Sequence, residues 1–209
     1  MLPSKLKNFN LFNDAQSYLG VCSALTPPKI AVKGEAYRGA GGLGEVDYDL
    51  GLEKLEMEAT YGGLVVGVMR QMGMVRVDGV QLRFVGAYQS DQTGGVTAAE
   101  MLVRGRHMEM DTGNVKAGDD TEWKVKSTLS YLKWTVAGTV EMEIDMLTGL
   151  YVVGGVDRTA EIREIIGATG ATPSGGSGGL LGGVSGGVSI PGLGRIGVGG
   201  NGFGFTIDI

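Results

Sequence analysis

Alternation between apolar and polar residues dominates residues 1–166. In EKLEMEATY (53–61), Leu55, Met57, Ala59 and Tyr61 share one side while Lys54, Glu56, Glu58 and Thr60 share the other. That period of two predicts a β-strand with one covered face. VQLRFVGAYQ (80–89) sets Leu82, Phe84 and Tyr88 against Gln81, Arg83 and Gln89. EWKVKSTLSYLKW (122–134) sets Trp123, Val125, Leu129 and Tyr131 against Lys124, Lys126, Thr128 and Ser130. VEMEIDM (140–146) sets Val140, Met142, Ile144 and Met146 against Glu141, Glu143 and Asp145. VTAAEMLVRGRHMEMD (96–111) is strand-like, but neither side is clean, which points to a bulge near Gly105.

Two segments read as helices. GLVVGVMRQM (63–72) is apolar nearly all round and predicts a mostly buried helix. The second follows Asp157 as N-cap and runs to about Ile166, with Ile162, Ile165 and Ile166 on one face and Gly167 as the stop. The fold class expected is mainly β: an antiparallel β-sandwich or open barrel with one or two short flanking helices. The strands are long, and one side of each is too hydrophilic for a core. Such a sheet either faces water or joins sheets from other copies.

One motif invites a different reading. EAYRGAGGLGEVDYDLG (35–51) contains Gly39-x-Gly41-x-x-Gly44, the spacing of a dinucleotide-binding loop. A phosphate cradle needs a strand before the glycines and a helix starting on them. The segment PKIAVKGEAY (28–37) reads as extended, but Val46, Tyr48, Leu50 and Leu52 alternate with Glu45, Asp47 and Asp49. This is a second, half-buried strand, and its acids would repel a pyrophosphate. The loop is an excursion between two strands.

Charge narrows the classes further. The chain has 18 basic and 23 acidic residues, net −5, and no basic patch, which argues against a protein that grips DNA. Its one cysteine, Cys22, excludes an internal disulfide framework and a multi-thiolate zinc site, and reads as a small buried residue in a strand. The opening MLPSKLKNFNLFNDAQ lacks the apolar core of a signal peptide, and the longest apolar stretch, LVVGVM (64–69), is too short for a membrane span. A soluble protein of the reducing cytosol with no membrane anchoring is expected.

Glycine is unevenly placed. Residues 167–209 hold 17 of the 39, with Arg195 and Asp208 as their only charges. The boundary falls at Gly167, giving a β domain over 1–167 and a Gly-rich extension over 168–209.

No catalytic case emerges. The single histidine, His107, sits among charged neighbours in RGRHMEMD and reads as an exposed strand residue. The row Glu141, Glu143, Asp145 reads as a solvated face, since no calcium loop accompanies it. Asp119-Asp120 reads as a turn, and most of the ten methionines as core filler. No catalytic residue, metal ligand or cofactor is expected.

Several blocks taken together resemble a known family. LPSKLKNFNLFNDAQSYLG, PKI, EAYRGAGGLGEVDYDLGLEKLEMEATYGG, FVGAYQSD, VRGRHMEMDTG, KAGDDTEWK, EIDMLTG and VVGGVDRTAEIREIIG follow one another over residues 2–167. In that order they resemble the major tail tube proteins of contractile-tailed bacteriophages, and the similar tubes of R-type bacteriocins. The resemblance implies a structural protein and not an enzyme. Its subunits would form stacked hexameric rings inside a tail sheath, on a baseplate or initiator, with a continuous β-barrel lining through which DNA passes without specific binding. It further implies a virion tail component assembled in the bacterial host cytoplasm.

Carried onto this chain, the resemblance makes Glu35, Tyr37, Arg38, Gly39, Gly41, Gly42, Gly44 and Glu45 the loop that touches neighbouring subunits and rings. Physical arithmetic agrees with such a ring. Six subunits lending four strands each, spaced about 4.8 Å and tilted near 40°, give a barrel roughly 48 Å across the backbone. Ring closure also removes exposed sheet edges. Six copies at net −5 sum to about −30, unfavourable to a DNA grip if enough of that charge faces inward. The side bearing Lys54, Glu56, Glu58 and Thr60 either lines the lumen or is ordinary outer surface.

The family pattern ends near Gly167. Beyond it, PSGGSGG reads as a linker, while LLGGVSGGVSIPGLGRIGVGGNGFGFTIDI carries twelve large apolar residues. Phe203, Phe205, Ile207 and Ile209 alternate like a strand and are the candidate tail contacts with neighbouring subunits or the sheath; the alternative is a free appendage. Two other readings of the whole chain stay open: a tube subunit of a genome-free contractile particle, and a monomeric β-sandwich binding module.

Overall fold

The computed structural model describes residues 2–168, so Phe203, Phe205, Ile207, Ile209 and the extension's other predicted features lie outside the described residues. Those described form an antiparallel β protein. Its strands are β1 (Lys5–Asn13), β2 (Gln16–Ser17), β3 (Cys22–Thr26), β4 (Val32–Tyr37), β5 (Val46–Leu52) and β6 (Leu55–Tyr61). After helix α1 (Val66–Met69) come β7 (Val80–Gln89), β8 (Val96–Asp111), β9 (Trp123–Val136), β10 (Thr139–Asp145), β11 (Leu150–Val153) and β12 (Val156–Asp157), then α2 (Ala160–Ile165). Among the described residues no helix is long and apolar enough to cross a membrane.

Strand β9 organises the main sheet. One edge pairs with β8 along most of its length; the other pairs first with β6, over Trp123–Leu129, and then with β10. The change of partner coincides with a bulge, because Gly105 faces Leu129 while Arg104 faces Tyr131. Ser130 is the extra residue, and its carbonyl accepts from the Met146 N–H at 2.8 Å. A Cβ on Gly105 would lie 2.1 Å from the Thr128 carbonyl oxygen, so the bulge closes only on glycine. A second bulge in β8 leaves Met108 unpaired between His107 and Glu109.

These bulges explain where simple alternation fails. Trp123, Val125 and Leu129 are buried as expected, but Tyr131 moves to the other side and Leu132 becomes fully buried. One extra residue inverts every later side chain. The irregularity expected near Gly105 is present, and it separates two clean faces.

Pairings run in a circuit, β1–β7–β8–β9–β6–β3, and residues 14–21 lead back from β3 to β1. Tyr18 closes it: its N–H donates to the Leu11 carbonyl at 2.8 Å, its carbonyl accepts from Cys22 N–H at 2.9 Å, and its ring meets Tyr61 edge-on at 5.5 Å. The inner face therefore encloses one core, with Leu11, Leu55, Met57, Tyr61, Leu82, Met101 and Val125 all nearly inaccessible. Cys22 is half-buried in β3, where desolvation pushes its thiol up to about 11.

Both helices differ from expectation. α1 spans four residues, with Val65 and Val68 buried but Leu64, Val66 and Met69 exposed. Gly63, at φ +116, and Gly73, at φ +79, bracket an apolar stretch of which the core takes only one side. In α2 the amphipathic pattern is inverted. Ile162, Ile165 and Ile166 are exposed, whereas Arg163 is buried and pairs with Asp157. Asp157 belongs to β12 and Thr159 precedes the helix, so the predicted capping residue serves instead as the counter-ion of Arg163.

Candidate assembly surfaces

The glycine loop joins β4 to β5, and no helix follows it. Gly41 adopts φ +86, a conformation open to glycine, and Gly42 N–H donates to the Gly39 carbonyl at 3.1 Å. The Arg38 guanidinium donates to the Gly42 carbonyl at 3.4 Å, within the loop. Glycine serves a turn here, not a phosphate.

β4 and β5 pair only with each other, as a separate two-stranded sheet. The half-burial expected of β5 is absent: Val46 is 65% exposed, Tyr48 56% and Leu50 53%. Register sorts the hairpin's faces. Asp49 lies opposite Gly34 and Asp47 opposite Ala36, making one small, acidic face. Tyr48 lies opposite Glu35 and Val46 opposite Tyr37, and the two tyrosine rings meet edge-on at 5.7 Å. At the hairpin's base a groove of 790 Å³ opens between Val32 and Leu52 on one side and Met146, Tyr151 and Ile162 on the other.

The second surface is the outer face of the barrel wall. Glu56, Glu58 and Thr60 occupy it on β6, half-buried, while Lys54 precedes the strand and is exposed. Cross-strand register extends the face through β9 into β8. Glu58, Lys126 and Glu109 form one row; Thr60, Lys124 and Asp111 form another; Glu56, Thr128 and Arg106 form a third. Glu56 accepts from Lys54 Nζ at 2.6 Å and from Lys126 Nζ at 3.2 Å, and these cations hold its carboxyl below the ordinary glutamate value, Lys54 first. Sequence reading singled out only the β6 part. The β8 part was hidden because the Met108 bulge shifts Glu109 and Asp111 onto the face of Arg106.

Two polar residues expected at the surface are inside. His107 is buried, and its Nδ1 lies 2.8 Å from Ser127 Oγ. Burial lowers its pKa to about 4. Its parity with Met101, Val103 and Gly105, all inward-facing, outweighs its charged sequence neighbours. Glu143 is also buried, taking a 2.7 Å hydrogen bond from the Tyr131 hydroxyl, so of the acidic row only Glu141 is fully exposed, with Asp145 half-buried. Asp119 stands in a turn and pairs with Lys116. Among the described residues no group of three His, Cys, Asp or Glu is placed to hold a metal ion.

Comparison with known proteins identifies what kind of molecule carries these surfaces. The family model described as phage tail tube protein FII matches residues 3–167. The chain belongs to the FII phage tail tube family. The tail tube protein of Escherichia phage P2 is 42% identical over 169 residues, covering 79% of this chain and 98% of its own. The major tail tube protein of Serratia phage KSP20 is 36% identical over 151 residues, covering 72% of this chain and 87% of its own. A chain solved in the sheath–tube complex of an extracellular contractile injection system aligns at a TM-score of 0.48. It is 9% identical and covers 64% of this chain and 91% of its own. That likeness is too slight to carry weight.

As a tail tube protein of a contractile-tailed phage, the chain is a structural component of the virion tail. The resemblance seen in the sequence blocks is thereby borne out.

Proposed function

We propose that this chain closes hexameric rings that stack into a tube, with β6, β9, β8 and β7 of each copy contributing to a continuous β-lined channel. The observation that carries the reading is the β4–β5 hairpin, which has no covered face in a single copy. A two-stranded hairpin is marginal in water by itself, so its apolar side calls for a partner surface. Residues 35–45, at its tip and upper strands, are the inter-subunit and inter-ring loop.

The charged wall suits a conduit for DNA that passes without being held. Its cations lie beside carboxylates: Lys126 between Glu58 and Glu109, Lys124 beside Asp111, Lys54 against Glu56. Phosphate would have to displace those partners, so the wall offers little net attraction. This differs from repulsion by a surplus of acids, since acids and bases on this patch balance. Lys54, Glu56, Glu58 and Thr60 are assigned to the lumen on this ground. A sheath outside and a baseplate or initiator below complete the assembly, built in the host cytoplasm. The family match ends at Gly167, which supports treating residues 168–209 as an extension of the tube domain.

Negative-stain electron microscopy of the purified protein, with size-exclusion chromatography, tests the reading. Six-fold rings or hollow tubes about 80–100 Å across are expected, two walls around the channel. A chain that stays monomeric at high concentration even with a baseplate seed would overturn it.

A further inference from the structure

Resting on the tube reading, the structure points to a specific receiver for the hairpin. We propose that the segment 64–77 of one copy is the surface on which the β4–β5 hairpin of another copy docks. In a single copy this segment leaves Leu64, Val66, Met69, Met74, Val75 and Val77 exposed, the last four around or after α1 and clear of the core. Val65 and Val68 anchor it from beneath, and Asn13 and Gln71 exchange reciprocal amide hydrogen bonds of 2.6 and 3.0 Å, so the shelf is fixed on β1.

Charge selects the occupant. Residues 62–77 contain Arg70 and Arg76 and no acid. Residues 32–53 contain Lys33 and Arg38 against Glu35, Glu45, Asp47, Asp49 and Glu53. Arg76 is already held by Asp78 at 3.0 Å, which leaves Arg70 as the cation available to an incoming acid. On the hairpin, Tyr37, Val46 and Tyr48 lie on the same face as Glu35. An apolar face bearing an acid thus meets an apolar shelf bearing a base, the complementarity that fixes register as well as covering area. The occupant is a second copy of this chain, because its β4–β5 hairpin offers an uncovered apolar face that also carries acid.

A photo-crosslinking amino acid at Tyr48 tests this with little change of shape. The variant is co-assembled with an excess of ¹⁵N-labelled wild-type chain on a baseplate seed, irradiated as tubes, and its cross-linked peptides are mapped by mass spectrometry. Mixed-isotope links from residue 48 to peptides within 64–77 are expected. Tubes whose links run to another segment, or to none, would overturn the proposal and leave the tube reading intact. Failure of the wild-type chain to form tubes would instead count against the tube reading itself. As an independent readout, Arg70→Glu should raise the concentration needed for tube growth about tenfold, with the thermal unfolding of the free chain unchanged. Unaltered growth in that variant would contradict the assignment.

Discussion

Strands β5 and β6 are neighbours in sequence and share one pattern, yet they have opposite fates. Val46, Tyr48 and Leu50 alternate with acids just as Leu55, Met57, Ala59 and Tyr61 alternate with Glu56, Glu58 and Thr60. In β6 the apolar side is at most 2% exposed; in β5 it is more than half exposed. Alternation specifies a strand with a face to cover, but not which molecule covers it. β6 is paired on both edges, with β9 and β3, and its apolar face is covered by its own chain's core. β5 has only β4, and on the proposed tube reading the missing cover is another subunit's to supply.

The contrast can be broken by substitution. The largest effect is expected in β6, where Leu55→Ala empties a fully buried site and should cost about 2–5 kcal/mol in urea unfolding of the unassembled chain. Leu50→Ala, the same chemistry on the hairpin, should change that stability by less than about 0.5 kcal/mol while impairing tube growth. Equal losses in both variants would erase the distinction.

Next in size is the pH response of the barrel interior. His107 titrates near 4 when folded, against an ordinary value of 6.5, so the fold favours its neutral form. Its contribution is therefore complete above pH 6.5 and falls as pH drops from 6.5 to about 4, a loss of about 3 kcal/mol across that window. Chemical denaturation at a series of pH values should show this slope in the wild type and its absence in His107→Gln. The hairpin, which has no buried titratable group, should contribute nothing to it.

Smallest is the effect on the charged wall. Lys126→Ala should let the Glu56 carboxyl move back toward its ordinary value in an NMR titration, with the unfolding midpoint nearly unmoved, because the half-buried pair stays open to solvent screening. A large stability loss would mean that the outer face carries structural weight that the exposure of its charges denies.

Much of the barrel was legible in the sequence because burial there is local: each inward residue of β6 and β7 faces a neighbour two positions from another inward residue. Legibility stopped at the bulges. Nothing in EWKVKSTLSYLKW announces that Ser130 is an extra residue, so Tyr131 was assigned to the wrong side. His107 and Glu143 were read as solvated from their charged neighbours, although strand parity put His107 in line with Val103. The three isoleucines of α2 share one face in the sequence, but an apolar stripe does not say what covers it, and in a single copy that face is open. That same limitation makes Ile162, Ile165 and Ile166 resemble β5: both are apolar faces that a single copy leaves open. The segment 35–45 reads in the sequence as an excursion between two strands and joins β4 to β5 in the structure, whereas the charged wall needs cross-strand register to join β8 to β6.

The most direct test of the central claim is hydroxyl-radical footprinting of the hairpin tyrosines before and after assembly, with Tyr61 as a buried internal control. The account predicts that Tyr37 and Tyr48 label readily in the free chain and become strongly protected in tubes, while Tyr61 stays protected in both. Tyr48 labelling at the same rate in tubes as in the free chain would contradict it, because the hairpin's open face would then not be what assembly covers.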